Sequence, residues 1–297
     1  MRSPGSAIEA LVTGLVDYAG LFPPAAHSMA DAVAECETHL ESPERWMLGR
    51  FVVPASRLEE LAARRADAHA DAGTPWRVSA LLSEDHAREL DAIARIGAMH
   101  GGTLTVDTLE ARCVTPSQVV RLAALVSPNQ RLFIEISAEA DQDSLLSAMA
   151  DKGACAKLRT GGVQPSDIPG SHAVARFIAG CAATRVPFKV TAGLHQPVAG
   201  LRPLTYESDG PVARMHGFVN VFLGAAFAWI GMEEYRLVEL LAEEDPQSFA
   251  FDARGARWRD LELSTAQISY SRSMLATAFG SCSFMEPLEG LRRHGYL

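Results

Sequence analysis

With 297 residues, 48% of them hydrophobic, the chain can bury the core of a large α/β domain, and its formal net charge of −9 offers no electrostatic hold on nucleic acid or an anionic membrane. A small-molecule partner fits better. The five cysteines, Cys36, Cys113, Cys155, Cys181 and Cys282, are odd in number and widely spaced, the pattern of reduced buried thiols in a soluble cytoplasmic protein rather than a disulfide framework. No basic segment followed by an apolar core opens the chain, and the apolar run Phe218–Ile230 is too short to span a bilayer, although it suits a homo-oligomer interface as readily as a core.

Strand-like and helix-like segments alternate along the chain. A first strand is expected over Gly14–Asp17, followed by a helix over Ser28–Leu40, a strand over Trp46–Val53 and a helix over Ser56–Ala70. Strands over Trp76–Leu82, Thr103–Asp107, Leu132–Ser137, Ala154–Arg159 and Phe188–Ala192 then alternate with helices over Asp85–Met99, Pro116–Val126, Ala140–Lys152 and His172–Thr184. A long helix, kinked near Gly231, is expected over Phe218–Glu244. An eighth strand over Ser248–Phe251, a last barrel helix over Ser264–Thr277 and an added helical tail over Phe279–Leu297 complete the reading.

Eight strands with intervening helices predict a (β/α)8 TIM barrel occupying residues 1–297 as one domain. An open doubly wound sheet is the alternative. It is weakened because no G-x-G-x-x-G turn follows the first strand.

In such a barrel the C-terminal strand ends form the active face, where the expected boundaries put Asp17, Asp107, Glu135, Lys157, Arg159, Lys189, Thr191 and His195. Each alone is compatible with capping a helix or facing solvent. Lys157 and Lys189, however, sit inside apolar strands one βα unit apart, where desolvation and mutual repulsion both favour a neutral amine.

The segments Lys157-Leu-Arg159-Thr-Gly161 and Phe188-Lys189-Val-Thr191-Ala-Gly193 resemble the sixth and seventh strands of deoxyribose-phosphate aldolases, which are class I aldolase barrels. The resemblance spans about residues 101–195. It implies that Lys157 forms a Schiff base with a carbonyl substrate, that Lys189 lowers its pKa, and that Asp107 is the acid/base. Leu194-His195-Gln196-Pro197 departs from the Gly-Ile-Arg-type turn that binds phosphate in that family, so a phosphorylated substrate is not implied.

Arg159 shares a strand face with Lys157, and with the Gly161-Gly162 turn it is placed to bind an anionic substrate group or to pair with Glu135. Asp17 and Tyr18 end the first strand and are expected to line the mouth with Thr191 and His195. Cys282 has no base or cation beside it in sequence and reads as structural.

The function expected is a cofactor-independent carbon–carbon lyase acting on a small, anionic carbonyl metabolite through Lys157, with Glu135 or Asp107 moving protons. Two alternatives stand beside it. One is a metal-dependent lyase or hydrolase using His195, His216 and Glu135, and the other is a barrel that binds an anionic metabolite without turnover.

Overall fold

The computed structural model describes residues 5–68 and 74–297. Seven strands follow in order: β1 (Val16–Tyr18), β2 (Leu48–Pro54), β3 (Trp76–Leu81), β4 (Leu104–Arg112), β5 (Arg131–Ile136), β6 (Cys155–Arg159) and β7 (Phe188–Thr191). Helix α1 (Ala7–Val12) precedes β1, and α2 (Met29–Glu41), α3 (Leu58–Ala68), α4 (His86–His100), α5 (Pro116–Ala123), α6 (Gln142–Lys152) and α7 (Ser171–Thr184) alternate with the strands. The last two positions of the expected helix Ser56–Ala70 lie outside the described residues.

After β7 come an antiparallel hairpin, β8 (Gly200–Pro203) with β9 (Val212–Met215), and two helices, α8 (Phe218–Trp229) and α9 (Glu234–Leu241). A three-stranded antiparallel meander, β10 (Phe249–Phe251), β11 (Gly255–Trp258) and β12 (Leu261–Ser264), leads to α10 (Thr265–Met274). Strand β13 (Ala276–Ser281) and helix α11 (Met285–Arg293) finish the chain. β13 pairs in parallel with β7 on one side and β1 on the other, closing an eight-stranded parallel barrel. The fold is a (β/α)8 TIM barrel.

The eighth barrel strand is therefore not Ser248–Phe251. That alternating segment joins the meander, and the closing strand is Ala-Thr-Ala-Phe-Gly-Ser, which the sequence reading divided between a helix and a tail. Its small residues give a weak strand signal, but the closure uses them: a Cβ at Gly280 would stand 3.0 Å from Thr191 Oγ1 on the adjacent strand. β4 also runs beyond the expected end at Asp107, through Arg112. The single kinked helix is two helices, broken where Gly231 adopts φ +98°.

Local chemistry sets the helix ends. Thr115 and Gln118 form a capping box before Pro116, Ser264 and Gln267 form another before α10, and Gly153 ends α6 in the left-handed region. Helix α8 is buried from Phe218 through Ala228, with Phe218 stacked 5.3 Å from Phe279 of β13. This face is occupied by the chain's own barrel and by α7, α9 and α10, so it is core rather than an oligomer surface. Among the described residues no helix is long and apolar enough to cross a membrane, and all five cysteines are buried and free.

Strand alternation sorts the chemistry. Phe188 meets Phe177 of α7 at 5.3 Å between ring centroids, outside the barrel, which turns Lys189 inward. Ala156 and Leu158 are likewise buried in the apolar layer, leaving Lys157 to the interior. The interior of this barrel is consequently charged rather than filled by branched apolar side chains.

Candidate active site

A buried ionic network crosses the middle of the barrel. Lys157 Nζ lies 2.6 Å from Glu110 Oε2 and 2.8 Å from Glu135 Oε2, while Lys189 Nζ lies 2.8 Å from Glu110 Oε1 and 2.5 Å from Asp17 Oδ2. Ser79 Oγ donates to Glu110 Oε1 at 2.6 Å, and the Arg50 backbone N–H donates to Asp17 Oδ1 at 2.8 Å. Gly49 makes the last contact possible, because a Cβ there would fall 2.4 Å from Asp17 Oδ1.

Register explains why these groups meet. Glu135, Lys157 and Lys189 are level on β5, β6 and β7, and Glu110 reaches them from β4. Glu110 was not among the residues the sequence reading singled out, because β4 was expected to stop at Asp107. Its signal was nevertheless present: Leu109-Glu110-Ala111 sets a charge between apolar neighbours in a strand, the same pattern that marks Lys157 and Lys189.

Glu110 changes the electrostatics. Burial disfavours the Lys157 ammonium, but Glu110 and Glu135 more than offset it, and the Lys157 pKa lies above the ordinary lysine value. Burial likewise raises the Glu110 carboxyl, yet the two lysines hold it well below the usual carboxylate range. The expectation of a neutral amine produced by lysine–lysine repulsion is corrected for Lys157. A carboxylate stands between the two ammonium groups, so Lys157 rests as a cation.

Asp107 does not belong to this cluster. It is bound by Arg50 Nε at 2.6 Å and Arg77 Nε at 2.7 Å, in the N-terminal half of the barrel, and these arginines overcome burial to lower its pKa. An aspartate so clamped is a poor proton carrier, which corrects its assignment as the acid/base. Tyr18 is corrected too. Alternation sends it outward from β1, opposite to Asp17, where its hydroxyl donates to Glu35 of α2 and its ring packs 5.4 Å from His39. Asp17 itself is inside, held by Lys189 well below the rim.

Above the network, Arg159 and Thr191 pair in register. Arg159 does not bind Glu135; its Nε donates to Gly161 O at 2.9 Å, and its terminal amino groups make no hydrogen bond to any described residue. Arg112, at the end of β4 on the same strand face as Glu110, is exposed and makes no ion pair with a described residue.

The glycine pair has a packing role. A Cβ on Gly161 would come within 2.6 Å of Gly193 Cα, and one on Gly162 within 2.2 Å of Asp167 Oδ2, so these glycines let the loops after β6 and β7 touch.

His195, His216 and Glu135 do not converge. His216 Nε2 lies 2.7 Å from Pro169 O, so that nitrogen carries the proton, and burial lowers the His216 pKa. His195 Nδ1 faces Glu286 Oε2 at 2.8 Å, and Glu135 holds Lys157. Among the described residues no group of His, Cys, Asp or Glu side chains is arranged to hold a metal ion, and the proposed ligand set is corrected on geometry.

The arrangement thus offers two buried primary amines, Lys157 and Lys189, each gripped by two carboxylates, with Glu135 beside Lys157 the most exposed of the three carboxylates, beneath two arginines at the C-terminal rim. No protein-family model matches this chain, and no curated protein matches it in sequence.

Proposed function

We propose that the protein is a Schiff-base carbon–carbon lyase in which Lys157 is the nucleophile. The observation that carries this reading is the placement of Lys157 Nζ between Glu110 and Glu135, at 2.6 and 2.8 Å. A cradle of carboxylates around an amine stabilises the resting ammonium and, equally, the cationic iminium that replaces it. The positive charge therefore keeps its partners through the reaction.

The division of labour follows from exposure. The Glu135 side chain is 18% exposed and that of Glu110 3%, so Glu135 is the group able to take a proton from Lys157 as a carbonyl enters. The amine then adds to the carbonyl carbon, Glu135 returns that proton to the oxygen, a second proton passes from nitrogen to oxygen, and water leaves the iminium. As a base takes the proton of the hydroxyl on the departing carbon, the neighbouring C–C bond breaks, its electron pair moves to the iminium nitrogen and the departing fragment becomes a carbonyl; return of that proton to the enamine carbon followed by hydrolysis restores the lysine. Lys189 is a positioning residue: it fixes Glu110 and Asp17. Arg159 and Arg112 favour an anionic group on the substrate, carried outside the reacting carbonyl.

The test is reduction with borohydride in the presence of short aldehydes and ketones, followed by peptide mass analysis. An adduct on Lys157, absent in Lys157→Arg, is expected. Absence of any lysine adduct across the panel, with tight binding of small carboxylates or phosphate, would replace this reading with a metabolite-binding barrel. Cleavage activity abolished by a chelator would replace it with metal chemistry.

A further inference from the structure

A cavity of about 550 Å³ lies at the end of the barrel opposite Arg159 and Arg112, where β2 and β3 begin and α2 and α3 flank them. Four arginines line it, Arg45, Arg50, Arg65 and Arg77, and among the described residues no carboxylate belongs to its wall. Arg50 and Arg77 share one carboxylate: Arg50 Nε donates to Asp107 Oδ1 at 2.6 Å and Arg77 Nε to Asp107 Oδ2 at 2.7 Å. Arg65 Nη1 donates to Glu37 Oε1 at 2.8 Å. Arg45 is exposed and makes no ion pair with a described residue.

Arg65 gives the cavity its direction. It is 5% exposed, and its guanidinium lies 4.2 Å over the Trp76 ring, which fixes the plane of the fork. Its Nε–H is buried without an acceptor among the described residues, an unmet donor that is costly unless a ligand completes it. Charge points the same way. Asp107 and Glu37 are the described carboxylates bonded to the four guanidinium groups, so two positive charges stand in excess. A phosphate monoester has a second pKa of about 6 and carries close to two negative charges at neutral pH, and its oxygens accept from several guanidinium groups at once. A single carboxylate supplies half that charge. The wall also includes the apolar Leu40 and Leu48 beside Trp76, leaving room for an organic group next to the anion.

We propose that this cavity binds a small phosphate monoester, its phosphate held by Arg45, Arg65 and Arg77 and its organic part set against Leu40, Leu48 and Trp76. The phosphate accepts the buried Arg65 Nε–H. Arg50 stands behind these groups, with its side chain committed to Asp107 by two bonds and its backbone N–H to Asp17. The ligand binds and leaves intact, with no bond made or broken. The site is separate from the rim where Arg159 and Arg112 face the substrate, and it does not depend on the chemistry of Lys157.

The folded protein is treated with phenylglyoxal, which modifies accessible guanidinium groups, with and without phenyl phosphate at constant ionic strength, and each arginine is read by peptide mass analysis. Phenyl phosphate should slow modification of Arg45 and Arg77 at least about tenfold and leave the exposed Arg254 unchanged. Inorganic phosphate should protect the same two residues at a higher concentration, because it lacks the organic part. Arg65→Lys keeps a cation for Glu37 and loses the Nε–H, while Arg45→Gln removes an exposed charge and leaves the buried pairs intact. Read at Arg77, each should raise the protecting concentration about tenfold, the scale of one charge-assisted hydrogen bond, and circular dichroism checks that both are folded. Protection confined to Arg112 and Arg159, equal slowing of Arg254, or no protection of Arg45 and Arg77 overturns the site. A protecting concentration unchanged in Arg45→Gln overturns the assignment of the phosphate to these arginines. Equal protecting concentrations of phenyl phosphate and inorganic phosphate overturn the monoester in favour of free phosphate.

Discussion

Glu110 of β4 binds Lys157 of β6 at 2.6 Å, passing over the intervening strand β5 through the interior of the barrel. Its other oxygen holds Lys189, so one carboxylate joins the two lysines that would otherwise repel each other. Removing it leaves two buried ammonium groups with Asp17 and Glu135 as their remaining carboxylates.

Glu110→Gln should therefore destabilise the protein by about 3–5 kcal/mol, the usual cost of breaking a buried ionic pair by removing one partner. Urea denaturation measures it. A loss below about 1 kcal/mol, as for solvent-exposed pairs, would mean that water enters the network freely.

The same network sets a pH window. Because the Glu110 pKa is lowered on folding, its contribution is present above the ordinary glutamate value of about 4.3 and is lost as pH falls through the lower folded value. Lys157 has the opposite sign: its pKa is raised, so its contribution is complete below about 10.4 and is lost as pH rises through the folded value. Thermal melts should show that the network's contribution is constant between about pH 6 and pH 9 and falls on the acid side. A stability difference between wild type and Glu110→Gln that varies strongly inside that range would contradict these assignments.

His195 titrates within the range where the lysine network is silent. With its pKa raised from 6.5 to about 9, its contribution is complete below pH 6.5 and disappears as pH rises through about 9. The stability difference between wild type and His195→Gln should shrink across that interval, by an amount on the order of 3 kcal/mol. A difference that stays constant would show that His195 does not gain its proton partners on folding.

Asp107 and Tyr18 provide negative controls for the catalytic reading. Asp107→Asn weakens the clamp with Arg50 and Arg77, and Tyr18→Phe removes the bond to Glu35, yet neither touches Lys157. Both variants should lose stability and keep a borohydride-trapping rate within about twofold of wild type once folded, since no transition-state contact is removed. A trapping rate reduced a hundredfold in folded Asp107→Asn would restore Asp107 as a participant.

Arg159→Lys retains charge and loses the planar fork. Inhibition of trapping by a small carboxylate should weaken about tenfold, the scale of one charge-assisted hydrogen bond. Unchanged inhibition would limit Arg159 to its bond with Gly161 O.

The sequence by itself determined the barrel class and the two lysines, because both rest on local periodicity. Helical and strand repeats alternate along the chain, and a lysine flanked by apolar residues within a strand is forced to the face opposite its neighbours. It did not determine the closing strand, since Ala276–Ser281 carries little strand propensity and is selected by the narrow space between β7 and β1. Nor did it determine charge states. Repulsion between Lys157 and Lys189 could be read from their positions, whereas the carboxylate that reverses its consequence arrives from β4. His195 shows the same division: its partner Glu286 is distant in the chain and reaches it only through the loop after β7 and the first turn of α11. Periodicity is a property of neighbours along the chain, while protonation and nucleophilicity depend on charges a few ångströms away through space, and those distances exist only once the barrel has closed.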